Sequence, residues 1–329
     1  MNSLKWHIFC RILAVVLSCV GGIFLRIPSA SGELIVRDRC SQVRCPQGRK
    51  PTRVCMADPG RLSNSVYVIQ TWGDCGESEK FVVQNYGEIE IVMQKMIDEC
   101  KSIDGVHFQG HGEDGVQHTG ELDAAVVSKA SGFACLFNKG AEIKLSGCNV
   151  GRGCAGDLFL MSTAETLLHQ GGKVNAASFY ATTLLPGVMD SVSLNGLRRI
   201  IDYNPEQTPR VKWKYRSELL KSYESEGDSL ADRCKVEFDV KLKQLLNERD
   251  RAKERGCHLD LPFVSQEKIQ EYQFIIKSLD DPKYLETSAM NRSSLWTALQ
   301  NVKLQTQTYE RCSSSSPASA INPVKPAVK

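Results

Sequence analysis

Ile143-Lys144-Leu145-Ser146-Gly147-Cys148-Asn149-Val150-Gly151 is a short apolar run that ends in a glycine-flanked turn. Beyond Gly156, residues 157–169 place apolar side chains at helical spacing and stop at Gly171-Gly172. An earlier run, Val106-His107-Phe108-Gln109-Gly110-His111-Gly112, ends in a similar glycine turn. Reading outward, Val66-Tyr67-Val68-Ile69 has the composition of a buried first strand. Residues 86–100 predict a helix with Ile89, Val92, Met93, Met96 and Ile97 on its apolar face. Strands are expected at 105–109 and 173–181, and this alternation of strand and helix predicts a three-layer α/β/α sandwich with a mostly parallel sheet.

The two turns carry a thiol and an imidazole, Cys148 and His111. A side chain that must meet a substrate belongs on a loop held by rigid elements, and the carboxyl ends of parallel strands are the usual place. Glycine beside each residue lets the chain turn sharply and lets a substrate carbonyl come close. A thiol with a pKa of about 8.5 needs an imidazole or a helix N-terminus nearby to favour the thiolate. The helix after Gly156 is expected to point its positive end back toward Cys148. The backbone N–H groups of Gly112 and Cys148 could then form an oxyanion hole, worth about 3 kcal/mol per donor. A lone cysteine at a strand end is ordinarily structural; the joint pattern of thiol, imidazole and glycine turns is what points to a nucleophile and its base.

These motifs, strongest over residues 106–115 and 143–156, resemble the caspase-like clan of cysteine peptidases, which includes caspases, separases, clostripain, gingipains and legumains. The resemblance spans roughly residues 62–200. It implies a doubly wound α/β core with His111 after the third strand and Cys148 after the fourth. It further implies endopeptidase activity with His111 as general base and acid, Cys148 as nucleophile, and Gly112 with Cys148 as oxyanion donors. The expected partner is a protein or peptide substrate, and no cofactor or metal is called for. The alternative is an inactive scaffold of the same fold that recruits a partner.

Other chemistry is less well supported. Gly151-Arg152-Gly153-Cys154-Ala155-Gly156 spells G-x-G-x-x-G between a strand and a helix, but the next strand ends without the acidic residue a ribose would need. Cys40 and Cys45 resemble half of a zinc knuckle without a second half. His107, four residues before His111, reads as a strand residue. The net charge of +3 over 329 residues is nearly balanced, with no basic stripe for nucleic acid.

Lys5 and Arg11 precede an apolar stretch at 12–25 and small residues at 28–32, the form of a secretory signal. Membrane association is expected only through that segment if it stays uncleaved, and the location is expected to be secreted or periplasmic. Of 13 cysteines, Cys10 and Cys19 fall in the signal, which leaves an odd set of 11. With Cys148 unbridged, the other ten could form five disulfides.

The chain divides into a signal at 1–32, an irregular cysteine-rich segment at 33–61, a core at 62–204, a helical region at 205–312 and a disordered tail at 313–329. The stretch 112–140 is acidic through Glu113, Asp114, Glu121 and Asp123, which read as solvated charges or as partners for His111. The helical region is expected to pack on the core, with a separate regulatory module as the alternative. Loop residues 178–186 are expected to shape substrate preference.

Overall fold

The computed structural model of the chain describes residues 38–62, 75–178, 197–206, 212–217, 223–224, 230–257, 263–281, 283–285 and 288–314. The signal segment, the strand expected at 66–69, residues 179–186 of the preference loop and the tail beyond 314 lie outside them.

In chain order the strands are β1 (Lys50–Ala57), β2 (Glu79–Val82), β3 (Lys101–Gln109), β4 (Gly112–Glu113), β5 (Val116–Gln117), β6 (Leu122–Asp123), β7 (Phe137–Ser146), β8 (Gly172–Ala177), β9 (Leu197–Tyr203), β10 (Lys212–Ser217) and β11 (Tyr223–Glu224). Eight of them build one sheet in the order β11-β10-β9-β8-β7-β3-β1-β2, and β4-β5-β6 form a separate small sheet. The pairs β1/β2, β1/β3, β3/β7 and β7/β8 are parallel. Strand β9 runs antiparallel to β8, and β10 and β11 continue antiparallel. Strand order reverses between β1 and β3, which makes their carboxyl ends the rim where an open α/β sheet presents a crevice.

Strand β1 corrects the reading of residues 33–61 as irregular. Val54, Cys55, Met56 and Ala57 are all buried, so both faces of the strand are covered and no polar alternation marks it. The region from 205 is likewise not purely helical, because β10 and β11 extend the sheet. Trp213 and Tyr215 alternating with Lys212, Lys214 and Arg216 is a two-residue period, the strand signature, inside a polar stretch. Ser313 and Ser314 close a helix rather than open a tail.

Helix α1 (Tyr86–Asp98) buries Ile89, Val92, Met93, Met96 and Ile97, the residues its periodicity assigned to one face. Its start is fixed by Asn85, whose side chain accepts from the Glu88 N–H at 3.2 Å, while Glu88 accepts from the Gln84 N–H at 2.7 Å. Helix α2 (Gly153–Leu167) is buried along most of its length. Ile89 and Met93 of α1, Phe108 of β3, Leu145 of β7 and Phe159 of α2 line one apolar space, so both helices cover the same face of the sheet. By strand alternation His107, Gln109 and Ser146 face the other way.

Three further helices follow: α3 (Leu230–Glu254), α4 (Gln266–Ser278) and α5 (Ala289–Ser314). Phe238, Leu242 and Leu245 of α3 and Leu295, Leu299 and Val302 of α5 are buried in the same core as the sheet residues. The helical region therefore packs on the core. Among the described residues no helix is long and apolar enough to cross a membrane.

Ten cysteines form five disulfides: Cys40–Cys135, Cys45–Cys100, Cys55–Cys75, Cys154–Cys234 and Cys257–Cys312. Cys148 is the one described cysteine outside them. Such a set fits an oxidising compartment, extracellular or periplasmic.

Candidate active site

Gln109 and Ser146 face each other as the last registered pair of β3 and β7. His111 and Cys148 each lie two residues further on, so adjacent parallel strands deliver both to the same rim at the same height. Among the described strands of the main sheet, β3 is the third in chain order and β7 the fourth. His111 is exposed and Cys148 is partly exposed, as groups that meet a substrate must be.

The two turns touch through their backbones. A Cβ placed on Gly147 would stand 2.8 Å from the His111 carbonyl oxygen and 2.9 Å from the Gly112 Cα. One placed on Gly112 would stand 3.1 Å from the Gly147 Cα and 2.4 Å from Val150 Cγ2. These glycines serve close approach rather than unusual dihedrals, which corrects the expectation that they supply the sharp turns. The left-handed residue of the Cys148 turn is Asn149, with φ 60°, and its carbonyl accepts from the Arg152 N–H at 2.8 Å. The Gly115 N–H donates to the Val150 carbonyl at 3.1 Å, a second link between the two loops.

Residues 112–117 form a hairpin across Asp114-Gly115, a dipeptide that sequence reasoning passed over although it is a strong signal for a two-residue turn. The His118 N–H donates to the His111 carbonyl at 3.0 Å, and the Gln117 amide donates to the same oxygen at 3.3 Å. Residues 111 and 118 are therefore joined by one backbone hydrogen bond at the next ladder position beyond Gly112 and Gln117. By the alternation of an antiparallel ladder, Gly112 opposite Gln117 falls at a non-hydrogen-bonded position. By that alternation its N–H is directed away from β5.

The acidic loop resolves into separate tasks. Asp123 accepts from the N–H groups of Ala125 and Val126 at 2.8 and 2.7 Å, capping a single helical turn. Glu113 pairs with Lys303 of α5 at 2.5 Å. Asp58, the residue after β1, lies beside the His111 turn through its backbone and Cβ: its N–H donates to the Gln109 carbonyl at 3.0 Å and its Cβ lies 3.2 Å from where a Cβ of Gly110 would be, while its carboxylate accepts from the Gly60 N–H at 2.6 Å. Sequence reasoning missed Asp58 because β1 was not recognised as a sheet strand.

The helix dipole expectation also changes. Helix α2 begins at Gly153, and the Cys154 N–H donates to Glu237 Oε2 of α3 at 2.7 Å. A carboxylate thus occupies the positive end that was expected to act on Cys148. The same carboxylate stands where the pyrophosphate of a dinucleotide would sit, so the G-x-G-x-x-G sequence is a close-packed turn capped from within the chain.

Behind the rim, His107 is buried with its Nε2 2.6 Å from Ser146 Oγ and 2.9 Å from the Gln109 amide nitrogen. The Thr119 hydroxyl donates to the Gln109 carbonyl at 2.8 Å, and the Gln117 amide donates to Thr119 Oγ1 at 3.1 Å. Buried polar groups thereby connect the strand end below Cys148 to the carbonyl of His111. Cys55, Cys75 and His107 bring donor atoms within 4.8 Å of one another, but the two sulfurs are bonded together, and a metal ligand must be a thiolate. Cys40 and Cys45, the half-knuckle of the sequence, go to separate disulfides.

Beneath the Cys148 loop, Asp157 of α2 lies 2.6 Å from Arg199 Nε of β9 and 3.2 Å from Arg233 Nη2 of α3. Burial pushes its carboxyl up to about 7, while the two guanidinium groups pull it the other way.

No family model, no curated protein and no solved structure matches this chain.

Proposed function

We propose that this chain is an exported cysteine endopeptidase of the caspase-like type, built on a three-layer α/β/α sandwich. The reading rests on one observation above the others: the backbone contact between Gly112 and Gly147, which sets the His111 and Cys148 turns side by side with Cys148 outside every disulfide. In the proposed reaction His111 takes the proton of the Cys148 thiol and the sulfur attacks a peptide carbonyl. The N–H groups of Gly112 and Cys148 receive the developing oxyanion. The C–N bond breaks as the imidazolium returns its proton to the leaving amine, leaving a thioester. Water, deprotonated by His111, then hydrolyses that thioester, and the thiol is restored.

Turnover of a peptide library by purified protein tests the reading. Cys148→Ala is expected to abolish cleavage while the fold persists, and cleavage at the wild-type rate would reject the assignment. Iodoacetamide labelling separates the enzyme from a scaffold that only recruits a partner. An active Cys148 should label selectively and lose that selectivity in His111→Ala.

A further inference from the structure

The C-terminal helices reach the segments that follow the two turns of the candidate site. At one end, a single turn of α3 grips the start of α2: Cys234 is bonded to Cys154, Glu237 accepts from the Cys154 N–H at 2.7 Å, and Arg233 contacts Asp157 at 3.2 Å. Those contacts fall just past the Cys148 turn. At the other end, α5 reaches the hairpin that follows His111, with Lys303 Nζ 2.5 Å from Glu113. Glu113 is the neighbour of Gly112. Helix α5 is also held to α2 by Arg292, which pairs with Glu165. The two helices pack against one another, and Cys257–Cys312 joins a position three residues beyond the end of α3 to the last turn of α5. They therefore form one stiff body with contacts on the start of α2, just past the Cys148 turn, and on the hairpin that follows His111.

From these contacts we infer that the α3/α5 pair is a brace that sets the spacing of the two turns, with Lys303 acting through Glu113 as a positioning residue. The inference rests on the peptidase reading. Two features separate positioning from plain stabilisation. The Lys303–Glu113 pair is partly exposed, with side-chain exposures of 27% and 50%, and an ion pair open to solvent adds little to global stability. Yet it sits beside the proposed oxyanion donor, where small displacements carry large costs in rate. The brace also accounts for a long-range ion pair between residues 190 positions apart that core packing does not require.

Charge reversal tests it on the full chain. Lys303→Glu and Glu113→Lys, each alone, are expected to lower kcat on the peptide library on the order of tenfold. KM and the melting temperature should change little. The double swap, which restores an opposite-charge pair, should recover most of the loss. Wild-type kcat in both single variants, or a double swap no better than either, overturns the brace. Should wild-type protein cleave no peptide, the peptidase reading fails, and the brace is then judged by the iodoacetamide rate at Cys148. Equal rates in wild type and both single reversals would overturn it there too.

Discussion

Gly112 and Gly147 approach so closely that a methyl group on Gly147 would overlap the Gly112 Cα, at 2.9 Å, and the His111 carbonyl oxygen, at 2.8 Å. Val150 Cγ2 would stand closer still, at 2.6 Å, but the other two atoms are backbone and cannot swing aside as a side-chain tip can. Gly147→Ala should therefore push the two turns apart, at a cost of about 1–3 kcal/mol as for other overpacked sites. The expected result is a lower melting temperature together with loss of the His111-dependent part of Cys148 alkylation. Unchanged alkylation in a folded Gly147→Ala protein would show that the contact does not set the geometry.

Ser146→Ala removes one partner of the buried His107 ring while leaving the strand free to form. A buried polar group deprived of a partner costs about 1–3 kcal/mol. Chemical denaturation should show a drop of that order. A shift below a few tenths of a kcal/mol would mean that His107 does not depend on the 2.6 Å contact with Ser146.

How much of this was legible in the sequence varied with how local its cause was. The apolar face of α1 could be read residue by residue, because a surface helix buries one stripe and exposes the rest. The carriers of His111 and Cys148 were equally plain, since an apolar run ending in Gly-His-Gly or Gly-Cys-Asn announces a strand end. Strand β1 was hidden by its cysteine- and proline-rich setting and by burial on both faces. Glu237 could not have been found by any local rule, because it caps a helix 83 residues away and only tertiary packing brings it there. Asp58 was lost as a consequence of missing β1.

Among the described residues, Cys154–Cys234 is the one disulfide that spans a cut anywhere between residues 178 and 230, since the others lie wholly on one side. Protein nicked there should migrate as one band on a denaturing gel without reductant and as two with it. Cys154→Ser combined with Cys234→Ser should give two bands in either case. A single unreduced band from that double variant would contradict the pairing.

Asp157 gives stability a pH dependence of definite sign. Its carboxyl is raised to about 7 in the folded chain, mainly by burial, above its value in an unfolded one. The folded state thus binds the proton more tightly, and the contribution is full below about pH 4 and fades as pH rises through about 7. Melting temperature should fall between pH 5 and pH 8, and Asp157→Asn, which mimics the protonated acid, should flatten that part of the curve. A profile of the same slope in the variant would assign the effect to other groups.

The first three disulfides nest, with Cys55–Cys75 inside Cys45–Cys100 inside Cys40–Cys135. During export the chain emerges from its amino end, so Cys40 and Cys45 meet the oxidant long before either proper partner, and only the innermost bond can close promptly. Bonding between those two neighbours is the quick error, and undoing it requires thiol exchange. A host without a disulfide isomerase should consequently accumulate scrambled chains, in which the Cys148 thiol becomes one more participant in the shuffling.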